Sequence, residues 1–134
     1  MAHFLKPLLS SAASGWVLRN ERTSSTVSSV LLPAFDSATR RRGLLGRDGL
    51  ERNAAVILAP CPAIHTWFMR FSIDVLFVAK DGTIRKVCPS LPAWRIAVDL
   101  RAFAVIELAS GVALETDTRL GDRLSLAPAD SVCP

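Results

Sequence analysis

The sequence predicts an α+β domain: a mostly antiparallel, curled, barrel-like β-sheet with one main helix, about residues 34–45, packed on it. Three observations lead there. Short apolar runs recur along most of the chain and are punctuated by turn residues, as in a multi-stranded sheet. Only one stretch, Ala34 to Leu45, carries helix signals at both ends. The chain has 134 residues, enough for one domain with one core. Many short strands in so small a domain favour a curled or closed sheet, which leaves fewer exposed edges.

The elements follow in order. Residues 1–14 mix Pro, Ser and small apolar residues without an amphipathic period and read as a flexible leader. Trp16-Val17-Leu18 and Val27 to Leu32 are strand candidates on either side of the polar Asn20 to Ser25 turn region. Pro33 suits a position at or just before the first turn of the helix, with Asp36 near the positive end of the dipole. Arg40, Arg41 and Arg42 lie towards the negative end, and Gly43 and Gly46 stop it. Ala54 to Ala59 is a continuous apolar run, as expected of a buried strand. Ile64 to Phe71 and Ile73 to Val78 read as two more strands. Lys80-Asp81-Gly82-Thr83 is a hairpin turn, because Asp-Gly accepts the positive φ that tight turns need, and Thr83 to Val87 returns as the partner strand. Pro89 to Pro92 with Trp94 reads as a loop. Ala102 to Leu108 is a strand, Ser110-Gly111 a turn, Val112 to Thr116 a short helix, and Leu120-Gly121-Asp122 a turn into a last strand, Arg123 to Leu126. The domain should span 15–127, followed by a tail at 128–134.

Half of the residues are hydrophobic and 21% are charged, which excludes a disordered chain. The net charge is +4. The excess lies in residues 1–53, which hold eight basic residues (Lys6, Arg19, Arg22, Arg40, Arg41, Arg42, Arg47, Arg52) against four acids (Glu21, Asp36, Asp48, Glu51). Arg40-Arg41-Arg42 is short and lacks interleaved aromatics, so it reads as a solvated helix face, and nucleic acid is not an expected partner. The longest charge-free run, Asn53 to Met69, is broken by Pro60 and Pro62 and is too short to span a membrane. Ser10, Ser11 and Ser14 dilute the apolar stretch near the N-terminus, so a cytoplasmic chain is expected over an exported one. Cys61, Cys88 and Cys133 are an odd set, each followed by Pro, and read as reduced thiols at strand ends.

The most informative stretch is His65 to Val78, which reads as extended apolar chain yet carries His65, Arg70 and Asp74. Polar groups inside a strand pattern need partners, because an unpaired buried charge is costly. Four blocks run in order: Arg42-Gly43-Leu44-Leu45-Gly46-Arg47, His65 to Phe77, Ile106-Glu107-Leu108-Ala109-Ser110-Gly111, and Leu120-Gly121-Asp122. In these blocks the chain resembles a bacterial and archaeal family, domain of unknown function 192, over about residues 15–127. The resemblance implies a compact, mostly β, α+β domain and supplies no activity, substrate or cofactor. Cys61 four residues before His65 and the Pro92-Ala93-Trp94-Arg95 loop look like one branch of that family. Many relatives carry an export leader, which this chain lacks the signals for, and the family often has Pro where this chain has Ser72.

Asp74 and Glu107 are the carboxylates to explain. One reading ties them structurally to Arg42, Arg47, Arg70 or Arg95 and to backbone donors, with Glu107 paired to Arg42 or Arg47. The other lines a pocket with both carboxylates and His65, suited to acid–base work or a polar ligand. Cys61 and His65, with Cys88 or Asp74 as a third group, have weak metal-ligand spacing, and no metal is expected. Trp67, Phe68, Phe71 and Phe77 read as core, and Trp94 as a cleft wall. The glycines form no phosphate cradle and no Ser sits in a nucleophile elbow. The expectation is a monomeric, non-enzymatic binder of a small polar ligand or a protein partner, with no cofactor. Its cleft would be lined by His65, Asp74 and Glu107 and walled by Trp94 and Met69. The alternatives are a hydrolase- or isomerase-like enzyme using the same carboxylates and His65, and a structural accessory without a pocket.

Overall fold

The computed structural model describes residues 3–10, 12–36 and 47–129. Among these residues ten strands form three sheets. They are β1 (Trp16–Asn20), β2 (Ser25–Ser28), β3 (Val30–Ala34), β4 (Ala54–Leu58), β5 (Ala63–His65), β6 (Ile73–Val78), β7 (Ile84–Leu91), β8 (Ile96–Val98), β9 (Ala104–Ala109) and β10 (Leu124–Pro128). Two single-turn helices, α1 (Pro7–Ser10) and α2 (Val112–Glu115), accompany them.

The central sheet has the order β3-β4-β9-β6-β7. It is antiparallel except for β3 and β4, which run parallel from Val30↔Ala54 to Ala34↔Leu58. Every residue of β4, β6 and β9 is buried. Both faces of the sheet are therefore covered, which explains the continuous apolar runs in the sequence. A three-stranded sheet, β10-β1-β2, covers one face through Leu18, Val27 and Leu124, which meet Ile57, Leu76, Ile106 and Leu108 in the first core. On the other face Ile64, Met69 and Ala97 meet Val56, Val75, Phe77 and Val105 in a second core. The two-stranded sheet β5-β8 supplies Ile64 and Ala97.

The described residues are thus β-rich, and none of the three sheets they form closes into a barrel. The expected barrel-like sheet presumed one interior, whereas the central sheet here has a core on each side. The expected helix at 34–45 also needs correction at its start. Pro33 and Ala34 belong to β3. Because β3 is an edge strand, Pro33 is tolerated despite lacking an N–H. Residues 37–46, the rest of that expectation, lie outside the described residues.

Other departures have local causes. The run Val27 to Leu32 is two strands in different sheets. Asn53 O accepts hydrogen bonds from Ser29 N–H (3.0 Å), Val30 N–H (2.9 Å) and Ser28 Oγ (2.7 Å), and this seam marks the change of sheet. β7 extends through the expected loop at Pro89 to Leu91, with Ser90 at φ 48°. The described part of the presumed leader is packed: Leu5 is fully buried, Leu8 is buried, and Phe4 N–H donates to Lys80 O at 2.8 Å. The hairpin at Asp81-Gly82 forms as expected. Gly82 has φ 91°, and a Cβ there would lie 2.0 Å from Leu124 O, so only glycine fits.

Candidate functional site

The segment after β5 is where the chain most clearly departs from economical folding. Thr66 is fully buried and acts as a hub. Its N–H donates to Arg95 O (2.8 Å), and its carbonyl accepts from Met69 N–H (3.2 Å) and Trp94 N–H (3.1 Å). Its Oγ1 donates to Pro92 O (2.6 Å) and accepts from Arg95 N–H (2.9 Å). One threonine therefore welds the loop at 66–72 to the loop at 92–95. The strand expected over Ile64 to Phe71 stops at His65 for this reason.

The two welded loops hold aromatic residues in the left-handed backbone region, Phe68 at φ 65° and Trp94 at φ 64°. Bulky residues rarely adopt it, and each such position costs on the order of 1–3 kcal/mol. Their rings meet edge-on with centroids 4.8 Å apart. Even so, Phe68 is 67% and Trp94 57% exposed. His65 and Trp67 stack beside them at 4.9 Å. The outward face of β5-β8 continues the surface: His65 lies opposite Ile96 and Ala63 opposite Val98, and all four are exposed. Ile64 and Ala97, the intervening residues, point into the second core. Around this tip, Arg70 pairs with Asp48 at 2.7 Å, and Arg95 Nη1 lies 3.4 Å from Trp94 O.

The carboxylates sit elsewhere and apart. Asp74 lies opposite Leu108 of the first core, while Glu107 lies opposite Val56 and Val75 of the second. Directly opposed residues share a face, so the two carboxylates point to opposite sides of the central sheet. Asp74 is buried and accepts backbone N–H bonds from Ser90 (2.8 Å), Gly111 (3.1 Å) and Ala113 (2.9 Å). It fastens the irregular end of β7 to the start of α2 through backbone donors, one of the two kinds of tie expected beside arginine. Arg52, which bonds Glu115 and donates to Ser110 O at 3.3 Å, lies close by.

Glu107 is buried, and its Oε2 has no hydrogen-bond partner among the described residues. Burial pushes its carboxyl up to about 7. The expected pairing with Arg47 is not formed, since no ion pair joins them and Arg47 is exposed. Arg42 lies outside the described residues. His65, Asp74 and Glu107 therefore do not converge on one cleft, and Met69 is buried beneath the tip instead of walling an opening. Trp94, expected as a cleft wall, is exposed. Cys61 is buried, with Sγ donating to Ala63 O at 3.1 Å. Among the described residues no three His, Cys, Asp or Glu side chains are grouped to hold a metal ion. A cavity of about 240 Å³ lined by His3, Leu9, Phe35, Ala59, Pro60 and Phe103 shares no residue with the tip.

Sequence reasoning passed over Thr66, Phe68, Ile96 and Val98. Phe68 reads as core because aromatic residues usually are, and β8 is too short to show a period. It also treated Gly121-Asp122 as a turn alone. Asp122 is buried and gathers Asn20 Nδ2 (2.9 Å), Arg22 Nε (2.7 Å) and Arg119 N–H (2.8 Å). The Arg22 guanidinium holds the Asp122 carboxyl well below the usual carboxylate range.

Fold and site together define a small β-rich domain built on a mixed five-stranded sheet, with an exposed aromatic tip on one side. The chain belongs to the domain of unknown function 192 family, described as "Uncharacterized ACR", whose model matches residues 19–126. No curated protein matches it. Two crystal structures share the fold. One is a Sinorhizobium meliloti protein described as a "putative transcription regulator", with TM-score 0.71 and 23% identity, covering 82% of this chain and 90% of that one. The other is a Novosphingobium aromaticivorans protein of unknown function, with TM-score 0.69 and 18% identity, covering 83% of each chain. Among the described residues no helix is long and apolar enough to cross a membrane.

Proposed function

We propose that the protein is a non-enzymatic binding module that docks its partner on the aromatic tip. The observation that carries this reading is the Phe68–Trp94 pair. Both residues hold a costly backbone conformation, and both spend most of their side-chain surface in water. Backbone strain persists only where the surroundings enforce it, and it gathers at functional positions. Here the enforcing group is the buried Thr66 hub. Its bonds preset the shape of the tip, so docking requires little further ordering.

The extent of the surface favours a macromolecular partner over the small polar ligand also expected. Trp67, Phe68, Trp94, Ile96 and Val98 are all at least 41% exposed. Apolar surface of this kind, with Trp and Arg together, suits a docking face better than an enclosed pocket. The enzymatic alternative loses its support with the separation of Asp74 from Glu107.

Photo-crosslinking tests the reading. A benzoylphenylalanine placed at Ile96 in living cells should give discrete adducts. The same group at Leu120, which is 66% exposed but belongs to the turn before β10, should not. The Ile96 adducts should vanish when Phe68→Asn and Trp94→Asn are introduced together. Equal adducts from both positions would refute the proposal.

A further inference from the structure

The tip has a chemical character beyond being apolar. Residues 63–70 and 92–98 build it, and they contain Arg70 and Arg95 but no acid. Asp48 and Asp99, the acids paired nearest these segments, are already engaged by Arg70 and Arg85. Among the described residues the Arg95 guanidinium contacts only carbonyl oxygens, those of Ala93 and Trp94. Lys86 donates to Val98 O at 3.1 Å and so places another cation at the margin of β8. Exposed Trp and Phe beside cations in excess of the neighbouring acids match the interfacial layer of a bilayer, where aromatic rings sit at headgroup depth and basic residues meet anionic lipids.

Resting on the reading of the tip as the docking face, we infer that its partner is an anionic membrane surface. Trp67, Phe68 and Trp94 enter the interfacial layer, and Arg95, with Lys86 at the margin, supplies the countercharge to its headgroups. Two features favour lipid over a protein partner. Phe68 and Trp94 stay more than half exposed while in contact with each other, so they project, and a projecting pair enters a soft surface without a matching pocket. The two segments also hold no carboxylate for a partner's basic groups, which favours anionic surfaces as the complement.

The full chain should be tested by sedimentation with vesicles of pure phosphatidylcholine and of equimolar phosphatidylcholine and phosphatidylglycerol. The wild type should partition at least about tenfold more strongly onto the anionic vesicles, with a blue shift of tryptophan emission. Raising the salt to about 0.5 M should weaken binding, as screening of the cations requires. Phe68→Asn with Trp94→Asn should abolish binding while preserving the fold, because Asn tolerates the left-handed region better than an aromatic residue does. Arg95→Glu, a second and independent variant, should reduce binding without touching the rings. Wild type that binds neither vesicle overturns the lipid assignment; the docking reading then stands or falls on the crosslinking result. Equal binding by the Asn variant and the wild type would place the lipid contact elsewhere and overturn the inference.

Discussion

Glu107 carries its carboxyl into the second core between Val56 and Val75, where among the described residues its Oε2 has no hydrogen-bond partner to replace the water it has lost. Its folded value near 7 exceeds the ordinary 4.5. Between those two pH values the folded state keeps a proton that the unfolded chain has released. Stability should therefore fall as pH rises from about 4.5 to 7 and level off above, a loss of roughly 3 kcal/mol in all. Glu107→Gln keeps the shape and removes the titration. Urea midpoints measured across that range should decline for the wild type and stay flatter for the variant. Parallel declines would assign the slope to other groups. Asp74 differs because three backbone amides take the place of water. Two carboxylates in equally apolar sequence thus meet opposite fates, decided by which face of one sheet each occupies.

Single elements show how much of this the sequence could reveal. The β6–β7 hairpin was legible because Asp81-Gly82 encodes its turn locally, and α2 because Ser110-Gly111 precedes it. The tip was not. Its conformation is imposed by Thr66 bonding to residues 92–95, a contact between segments about thirty positions apart in the chain. No local pattern reports that contact, and aromatic residues facing water imitate a buried strand. The faces of Asp74 and Glu107 were hidden too, since parity within a strand means nothing until its register is known. The N-terminal segment misled in the reverse way: it lacks a clear amphipathic period, yet Leu5, just before α1, is buried in the first core. Leu5→Ala should lower unfolding free energy by about 2–5 kcal/mol, the usual range for such a cavity. Chemical denaturation checks this, and a change under about 0.5 kcal/mol would show that the segment contributes little in solution.

At the scale of the molecule, the three sheets divide the labour. The central sheet has a core on both sides, the three-stranded sheet closes one, and the small β5-β8 sheet both seals the other and displays the tip. Rigidity of the display therefore comes from the second core, since Ile64, Met69 and Ala97 anchor the reverse side of the same residues that face outward.

The pairing of β1 with β10, from Trp16↔Pro128 to Asn20↔Leu124, has a bearing on how the protein is made. The ribosome delivers the first strand of this pair long before its mate, at about 5–20 residues per second. Until the last strand emerges, β1 has an open edge and the first core lacks Leu124, which is fully buried. A nascent chain halted before Leu124 should remain protease-sensitive, and one extended past Pro128 and clear of the exit tunnel should become resistant in a single step. Limited proteolysis of stalled chains reads this directly. Gradual protection as the chain lengthens would show instead that the central sheet closes without its final strand.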